Sequence, residues 1–293
     1  MVAEDNRRAS FYMVLGMGGF AVNDAFMKQV LGDMDLSHAI ALRGLVASLF
    51  VTALAYQTGA FTNWKRHISP LYMIRLMLET ATTYSFLNAL RSMPLADANA
   101  ILMVVPLAVT LGAAFIYGEE VGWRRYLAIL IGFGGVLLVL QPKGGEWNAG
   151  YIYALMTLAF MVARDLLTRR LPSDMPSLLV AFGSATSITL VALILSGPLL
   201  ITPVTGVQLI WLSSAGVFIF AGYIFVILAV RGGGFGAVAP FRYTGLVFAI
   251  ALGWAMFNEF PSPLVLTGSG IIVASGLYSL WRERQLAKQQ LSH

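Results

Sequence analysis

The sequence predicts an all-α integral membrane protein with ten transmembrane helices. Three observations support this fold class: the composition, a series of long apolar runs and the placement of the basic residues. Of the 293 residues, 58% are hydrophobic and only 11% are charged, and the mean hydropathy is +0.77. A soluble domain carries about a quarter charged residues. A chain this apolar cannot cover its exterior with polar groups, so we expect it to lie in a lipid bilayer.

Apolar runs of about 20 residues, long enough to cross a bilayer as helices, recur along the whole chain. The predicted spans are 10–31, 36–58, 69–91, 95–117, 123–141, 149–170, 177–197, 207–230, 235–257 and 263–281. The connections are short and rich in Gly and Pro, so none leaves room for a separate domain. The first run is longer than the apolar core of a signal peptide and contains Asp24 and Lys28. We therefore interpret it as a retained span.

Basic residues concentrate in alternate segments, which predicts the orientation of the spans. If the N-terminus is cytoplasmic, the inner segments hold Arg7, Arg8, Lys65, Arg66, Arg124, Arg125, Arg164, Arg169, Arg170, Arg231, Arg282, Arg284 and Lys288. The outer segments hold only Arg91 and Lys143. Because positive residues favour the cytoplasmic side, we expect a bacterial-type cytoplasmic (inner) membrane protein with both termini inside. Basic residues placed between apolar runs in this way give no reason to expect a nucleic-acid partner.

The two halves of the chain share a weak internal repeat. Arg91 and Arg231, each at the end of a span, are 140 positions apart, and so are Glu119 and Glu259. A repeat of five spans is odd-numbered, so the second copy must be inverted in the membrane, an arrangement that recurs in secondary transporters. We therefore predict one five-helix repeat over 1–141, a second over 149–281 and a cytoplasmic tail over 282–293. Chance alignment of apolar helices is the alternative.

With this repeat, the sequence resembles the drug/metabolite transporter superfamily, specifically its ten-span EamA-type branch. The resemblance rests on Glu119 after the fourth span and Glu259 after the ninth, each followed by a Gly-rich helix, and on Pro106 within the fourth span. The ninth span departs from the pattern, since it has Leu246 where the fourth has Pro106. Within the branch, the chain is similar to the YddG-type exporters of amino acids.

The resemblance implies a fold and a function. In this family the first, third, fourth, sixth, eighth and ninth helices surround a central cavity, and the fifth and tenth pack together at the periphery. The implied function is export of small metabolites by alternating access, with amino acids such as aromatic ones and methionine as substrates. Other solutes, such as nucleosides, S-adenosylmethionine or cationic drugs, remain the alternative. The implied partners are a small-molecule substrate and the lipid bilayer, and we favour a monomer.

Ionisable residues inside a membrane are costly, so they usually face a partner or a wet cavity. By their depth in the spans, the outer half holds Asp24, Lys28, Arg43 and Asp97, and the inner half holds Arg75, Glu79, Arg164, Asp165 and Arg242. Asp24 and Lys28 share one helix face, and so do Arg75 and Glu79. As gating residues we predict Lys28, Arg43, Arg75, Asp97 and Arg164. The alternative is that these charges form permanent structural pairs.

An amino-acid substrate would need anchors for its carboxylate and its ammonium group, together with an apolar pocket. The predicted substrate-binding residues are Asp24, Glu79, Tyr84, Asn88, Asn99, Met103, Arg242 and Tyr243. Arg242 or Arg75 could bind the carboxylate through two parallel hydrogen bonds, and Glu79 or Asp24 could face the ammonium group. Aromatic and thioether side chains suit aromatic and methionine substrates.

Several activities have no basis in the sequence. There is no Cys, and no cluster of ligands or of a nucleophile with a base occurs, so we expect no metal, no cofactor and no enzyme activity. The repeat places Glu119 and Glu259 at opposite membrane faces, where they cannot act as one acid–base pair. No nucleotide-binding motif is present. Transport would therefore be passive or driven by an ion gradient, with protons as the candidate ion and Glu79 and Asp24 as the first carboxylates to test.

Overall fold

The computed structural model describes residues 2–119, 121–141, 149–232 and 235–290, and helices make up almost all of these residues. The helices are α1 Val2–Leu31, α2 Leu36–Gln57, α3 Pro70–Ser92, α4 Leu95–Leu102, α5 Val105–Tyr117, α6 Trp123–Leu140, α7 Ala149–Thr168, α8 Ser177–Ser196, α9 Gly206–Gly232, α10 Phe235–Val238, α11 Thr244–Phe257 and α12 Pro263–Gln290. Short 3₁₀ helices occupy Trp64–His67, Gly197–Ile201 and Ala239–Tyr243. The predicted all-α membrane fold is confirmed.

Eight segments of the described chain are long and apolar enough to cross a membrane: 36–57, 95–117, 123–140, 149–168, 177–201, 206–232, 239–257 and 263–282. The other two predicted spans correspond to α1 and α3, which have sufficient length but carry charges within them. Two predicted ends differ from the structure. Helix α1 begins at Val2 rather than at residue 10, and α12 continues to Gln290 through most of the predicted tail. The connection 142–148, with Lys143, lies outside the described residues.

Two spans predicted as continuous helices are interrupted. The fourth span breaks between α4 and α5 at Met103 and Val104, because Pro106 lacks an N–H for the carbonyl of Leu102 and its ring crowds that turn. The ninth span begins with the short α10 and a 3₁₀ turn that contains Pro240, before α11 starts at Thr244. The helices that follow the two breaks begin at Val105 and Thr244, 139 positions apart, which is close to the offset of the predicted repeat.

The packing of the helices is the same when the two halves are exchanged. Helix α1 packs along α9, α3 along α7, α2 along α8 and α6 along α12. Exchanging each span with its counterpart five spans later converts the α1–α9 pair into the α7–α3 pair and returns the other two pairs to themselves. A five-span repeat predicts this pattern. The inversion of the second half and the repeat boundaries remain predictions.

The Gly-rich helices α6 and α12 cross at contact distance. A Cβ atom on Gly135 would lie 2.7 Å from the carbonyl oxygen of Gly268, and one on Gly268 would lie 2.6 Å from that of Gly135. Small residues let membrane helices approach this closely. This close approach does not involve Gly134 and Gly270, where nothing lies within 4 Å of an added Cβ atom.

The main apolar core runs along the bundle from one end to the other. We call the end that contains Leu31 and Leu95 the outer face, following the predicted orientation, and the opposite end the inner face. Leu31, Leu36, Leu90 and Leu95, from the ends of α1 to α4, are almost completely buried at the outer face and pack in the core cluster. The same cluster includes Ala113 and Leu166 toward the inner face.

Candidate functional site

A cavity of about 330 Å³ lies in the middle of the bundle. This volume is at the lower end of the range of about 300–1,000 Å³ for ligand pockets. All spans except the fifth and tenth (α6 and α12) contribute to the walls, which agrees with the peripheral position implied for those two. The apolar part of the lining combines aliphatic side chains with aromatic and thioether ones; the latter include Met17, Phe20, Phe86, Met103, Met161, Phe220 and Tyr223.

Most of the predicted substrate-binding residues line this cavity: Asp24, Glu79, Asn99, Met103, Arg242 and Tyr243. Arg43 and Arg164, predicted as gating residues, also lie in its wall. The lining does not include Lys28, Arg75 or Asp97. The polar wall therefore carries both signs of charge, as the recognition of a zwitterion requires, but the gating set is divided between the cavity and its surroundings.

Two residues predicted to line the cavity lie away from it. The hydroxyl of Tyr84 donates to Ser37 Oγ at 3.3 Å, and the amide of Asn88 donates to the carbonyl of Tyr84 at 2.9 Å. Both side chains are thus held by contacts within α3 or with the start of α2. The error arises because a sequence shows which residues share a helix face but does not show which way that face is turned.

A four-residue ionic network lies at the inner part of the polar wall, and three of its members, Glu79, Arg164 and Asp165, line the cavity. Glu79 accepts from Arg75 at 2.8 Å and from Arg164 at 2.9 Å, and Arg164 also pairs with Asp165 at 2.7 Å. Arg75 additionally contacts Ser184 on α8. The charges that the sequence places in the inner half are thus paired with one another, while the role of these pairs as a gate remains a prediction. Two cations balance two carboxylates, so a substrate that binds Glu79 has to compete with Arg75 and Arg164.

A second polar group occupies the outer part of the cavity wall. The amide of Asn23 donates to Asp24 at 3.0 Å, and its oxygen accepts from Arg43 at 3.3 Å. Asp24 and Arg43 are both buried, and Arg43 Nε has no hydrogen-bond partner among the described residues. Asn23 thus joins the two predicted residues. Its position beside Asp24 in an apolar span is the sequence signal that could have identified it.

Arg242 differs from the other cavity cations because no hydrogen bond or ion pair holds its guanidinium within the described part of the chain. Its side chain is exposed, at the start of the ninth span, and Asp165 is the opposite charge that attracts it. An exposed cation in the cavity wall can bind the carboxylate of a ligand without first breaking a protein contact. This property separates Arg242 from Arg75, the other predicted carboxylate anchor.

Tyr243 contributes its ring to the cavity, but its hydroxyl points elsewhere. The hydroxyl is buried without a partner among the described residues and lies against Gly276 of α12, where an added Cβ would collide with it. Tyr223 of α9, missed by the sequence analysis, also lines the cavity. Its ring packs edge-on against Phe20 at 5.2 Å, and the charges of Glu79 and Arg164 act on it. Nothing in the sequence distinguished Tyr223 from ordinary aromatic packing.

An ion pair at the outer face, which we call the outer latch, connects Lys28 and Glu259. The ammonium of Lys28 donates to both carboxylate oxygens of Glu259, at 2.7 and 3.0 Å, and to the carbonyl of Met93 at 2.8 Å. It also lies 5.2 Å from the ring centre of Phe257. The partner of Lys28 is therefore none of the ionisable residues that the sequence places in the outer half with it, Asp24 on the same helix face included. Glu259 holds Lys28 instead and accepts from the backbone N–H of Leu95 at 3.1 Å.

A matching pair at the inner face, the inner latch, joins Arg169 and Glu119 at 3.0 Å. Its neighbour Arg170 lies 4.8 Å from the ring centre of Tyr117. Glu119 and Tyr117 are each 140 positions before Glu259 and Phe257, so the two latches use corresponding parts of the two halves. They differ in burial: the outer pair is 12% and 26% exposed, and the inner pair is 46% and 50% exposed.

These features define a class of protein. A bundle of apolar helices that surrounds a central cavity with polar and aromatic walls, and that has matched ion pairs at both ends, is the architecture of a multi-pass membrane transporter. Comparison with known proteins identifies the family of the first half of the chain. Residues 7–141 match the EamA-like transporter family, so this part of the chain is an EamA family domain, and the family is one of transporters.

Relatives cover nearly the whole chain. It is 24% identical over 263 residues to the pseudopaline exporter CntI of Pseudomonas aeruginosa, covering 89% of this chain and 92% of that protein. It is 24% identical over 284 residues to an S-adenosylmethionine uptake transporter of Rickettsia bellii, covering 96% of each. It is 27% identical over 226 residues to a riboflavin transporter of Vibrio cholerae, covering 75% and 74%. The relatives thus carry different solutes in both directions.

A solved crystal structure shares the fold. It aligns with a TM-score of 0.65 at 18% identity and covers 94% of this chain and 99% of the other. At that identity the match supports the arrangement of the helices alone. It carries no information on the substrate.

Proposed function

We propose that the protein is a secondary transporter that exports small metabolites, namely amino acids such as aromatic ones and methionine, from the cytoplasm by alternating access. The carrying observation is Arg242, an exposed guanidinium without a hydrogen bond or ion pair to the described chain, in a cavity that also contains a carboxylate, Asp24. A guanidinium binds a carboxylate through two parallel hydrogen bonds. The substrate's ammonium group would face Asp24, and its side chain would contact the aromatic and thioether walls.

We place the protein in a bacterial-type cytoplasmic membrane with both termini in the cytoplasm, as the distribution of its basic residues predicts. In the proposed state the cavity is reached from the inner side near Arg242, and an exporter would take up its substrate in this state. The resemblance to YddG-type exporters supports amino acids as the substrate class.

S-adenosylmethionine is a second candidate because relatives bear that name and because the cavity suits its chemistry. This molecule contains an amino-acid head group, which Arg242 and Asp24 could bind as proposed above. Its sulfonium is a cation, and the aromatic faces of Phe20, Phe86 and Phe220 line the same chamber. Cations placed over aromatic rings gain about 0.5–2 kcal/mol. Uptake rather than export would be the direction suggested by those names.

The test is transport by purified protein in liposomes, with labelled phenylalanine, methionine, S-adenosylmethionine, a nucleoside and a cationic drug compared side by side. We expect the two amino acids to be transported above empty vesicles. Arg242→Ala should lower kcat/KM roughly 10- to 150-fold, because a hydrogen bond to a charged group contributes about 1.5–3 kcal/mol. Vesicles with the protein in one orientation then give the direction.

Arg91→Ala is the matched control, since Arg91 is an exposed arginine at a span end, away from the cavity. It should transport like the wild type. If neither amino acid is transported, the proposed substrate class is wrong. If Arg242→Ala transports amino acids as well as the control does, Arg242 does not bind the carboxylate.

A further inference from the structure

Asp97, in the first turn of α4, is a buried carboxylate that no other group of the described chain satisfies. Its side chain is only 6% exposed, and its Oδ1 has no hydrogen-bond partner among the described residues. It does not line the cavity. Leaving an ionised carboxylate buried and unpaired is costly, so a group in this position is favoured in its neutral, protonated form.

The outer latch explains why Asp97 lacks a partner. Glu259 accepts from the N–H of Leu95, which places its carboxylate on the first turn of α4, the same turn that carries Asp97. Lys28 is the nearby cation, but it donates to both oxygens of Glu259 and to Met93. Two carboxylates, Glu259 and Asp97, thus lie near one ammonium group. That group donates its hydrogen bonds to Glu259 and to the carbonyl of Met93, and none to Asp97.

The other groups around Asp97 do not compensate its charge. The helices that pack against α4 are α1, α3, α6, α7, α11 and α12. Lys28 comes from α1, Glu259 follows α11 and Tyr151 from α7 also interacts with Asp97. In the part of the chain that the structure describes, α3, α6 and α12 present no further charged side chain to it. A proton is the ligand that neutralises this site without adding volume.

We propose that Asp97 is a proton-binding site of the outer latch, occupied while the latch is closed and emptied when the latch opens. Opening separates α4 from Lys28 and Glu259 and admits water, which stabilises the ionised carboxylate. Protonation therefore favours the closed form, and the sign follows: acid at the outer face holds the outer gate shut, and alkali favours opening. This inference rests on the proposed alternating access, because a latch that never opens would not expose the site.

The absence of Cys makes the proposal directly testable without a substrate. Ala25→Cys places one thiol on α1, three residues before Lys28 on the same face, at a position that is 0% exposed. A membrane-impermeant thiol reagent is applied from the outer side of vesicles over a range of outer pH. Asp33→Cys, at an exposed position in the connection between α1 and α2, corrects for the pH dependence of the reagent itself.

With Asp97 intact, the corrected labelling of Ala25→Cys should rise with outer pH, by at most about tenfold per unit because one proton is linked to opening. Asp97→Asn, which resembles the protonated form, should label slowly at every pH. Asp97→Glu should retain the pH dependence. Asp33→Asn, which removes an exposed acid at the same face, should behave as the unmodified reporter.

Labelling that is independent of pH with Asp97 intact, or that keeps its pH dependence in Asp97→Asn, overturns the proposal. If Asp97→Asn gives no folded protein, the Ala25→Cys reporter with Asp97 intact is titrated with pH and its carboxyl bands are followed by infrared spectroscopy. The band of a protonated carboxyl must then disappear over the pH range in which labelling begins, and a band that does not follow labelling refutes the site. Because no arm uses a substrate, failure of the amino-acid proposal leaves this result unaffected.

Discussion

Replacing the cation of each latch in turn compares the contribution of a buried ion pair with that of an exposed one in the same molecule. Lys28→Met removes three hydrogen bonds of an ammonium group that is 12% exposed and leaves Glu259 facing the buried Asp97. Removing one partner of a fully buried pair costs about 3–5 kcal/mol, and hydrogen bonds to charged groups contribute about 1.5–3 kcal/mol. Glu259 is partly exposed and keeps its bond to Leu95. We therefore expect Lys28→Met to shift the free-energy difference between the closed and the open outer face by about 2–3 kcal/mol toward the open form.

The same substitution at the inner latch should have a much smaller effect. Arg169→Met breaks a pair whose two side chains are about half exposed, and such pairs contribute about 0.2–1 kcal/mol. In the Ala25→Cys reporter, outer labelling of Lys28→Met should increase about 30- to 150-fold. Arg169→Met should change it less than about 5-fold and in the opposite direction. Equal effects of the two variants, or slower labelling in Lys28→Met, would refute the assignment of the outer latch as the barrier.

Two further predictions concern close contacts of α12. Gly268→Leu should lower the melting temperature in detergent, since its Cβ meets the backbone oxygen of Gly135 and overpacking costs about 1–3 kcal/mol; Gly270→Leu, in open space, should not. Gly276→Ala should lower the melting temperature, because its Cβ would collide with the Tyr243 hydroxyl, and it should raise KM for the transported solute by pushing the Tyr243 ring toward the cavity. Adding Tyr243→Leu removes the collision and should restore the melting temperature. An unchanged KM in Gly276→Ala, or no recovery in the double variant, would contradict the second prediction.

The fold class could be predicted from the sequence because the hydropathy of each span depends only on the residues of that span. Where a span is interrupted depends on more local detail. Pro106 was identified as a family feature, but the break in the helix that it causes at Met103 and Val104 was not predicted. The second interruption near Pro240 has the same cause, so both breaks were accessible from the positions of proline within apolar runs.

The candidate site was predictable to the extent that polar residues inside spans must be satisfied. This rule placed Asp24, Asn99 and Arg242 correctly in the cavity wall. It failed for Lys28, because only ionisable residues inside the spans were considered as partners, whereas its actual partner Glu259 follows the ninth span, 231 positions away. Tertiary contacts of this range depend on how the helices are arranged, and a single sequence does not contain that information in its local pattern.

The two latches would give the proposed alternating access a physical basis. Residues at corresponding positions of the predicted repeat build the same type of ion pair at both faces. One pair is largely buried and the other half-exposed, so the two faces are held to different degrees in this structure. A substrate that neutralises Arg242 changes the balance of charge near the inner network, where Asp165 currently faces both Arg164 and Arg242. We infer that a bound carboxylate weakens the attraction between Arg242 and Asp165 and leaves Asp165 to Arg164, which strengthens the inner network and shifts the population toward the outward-open form.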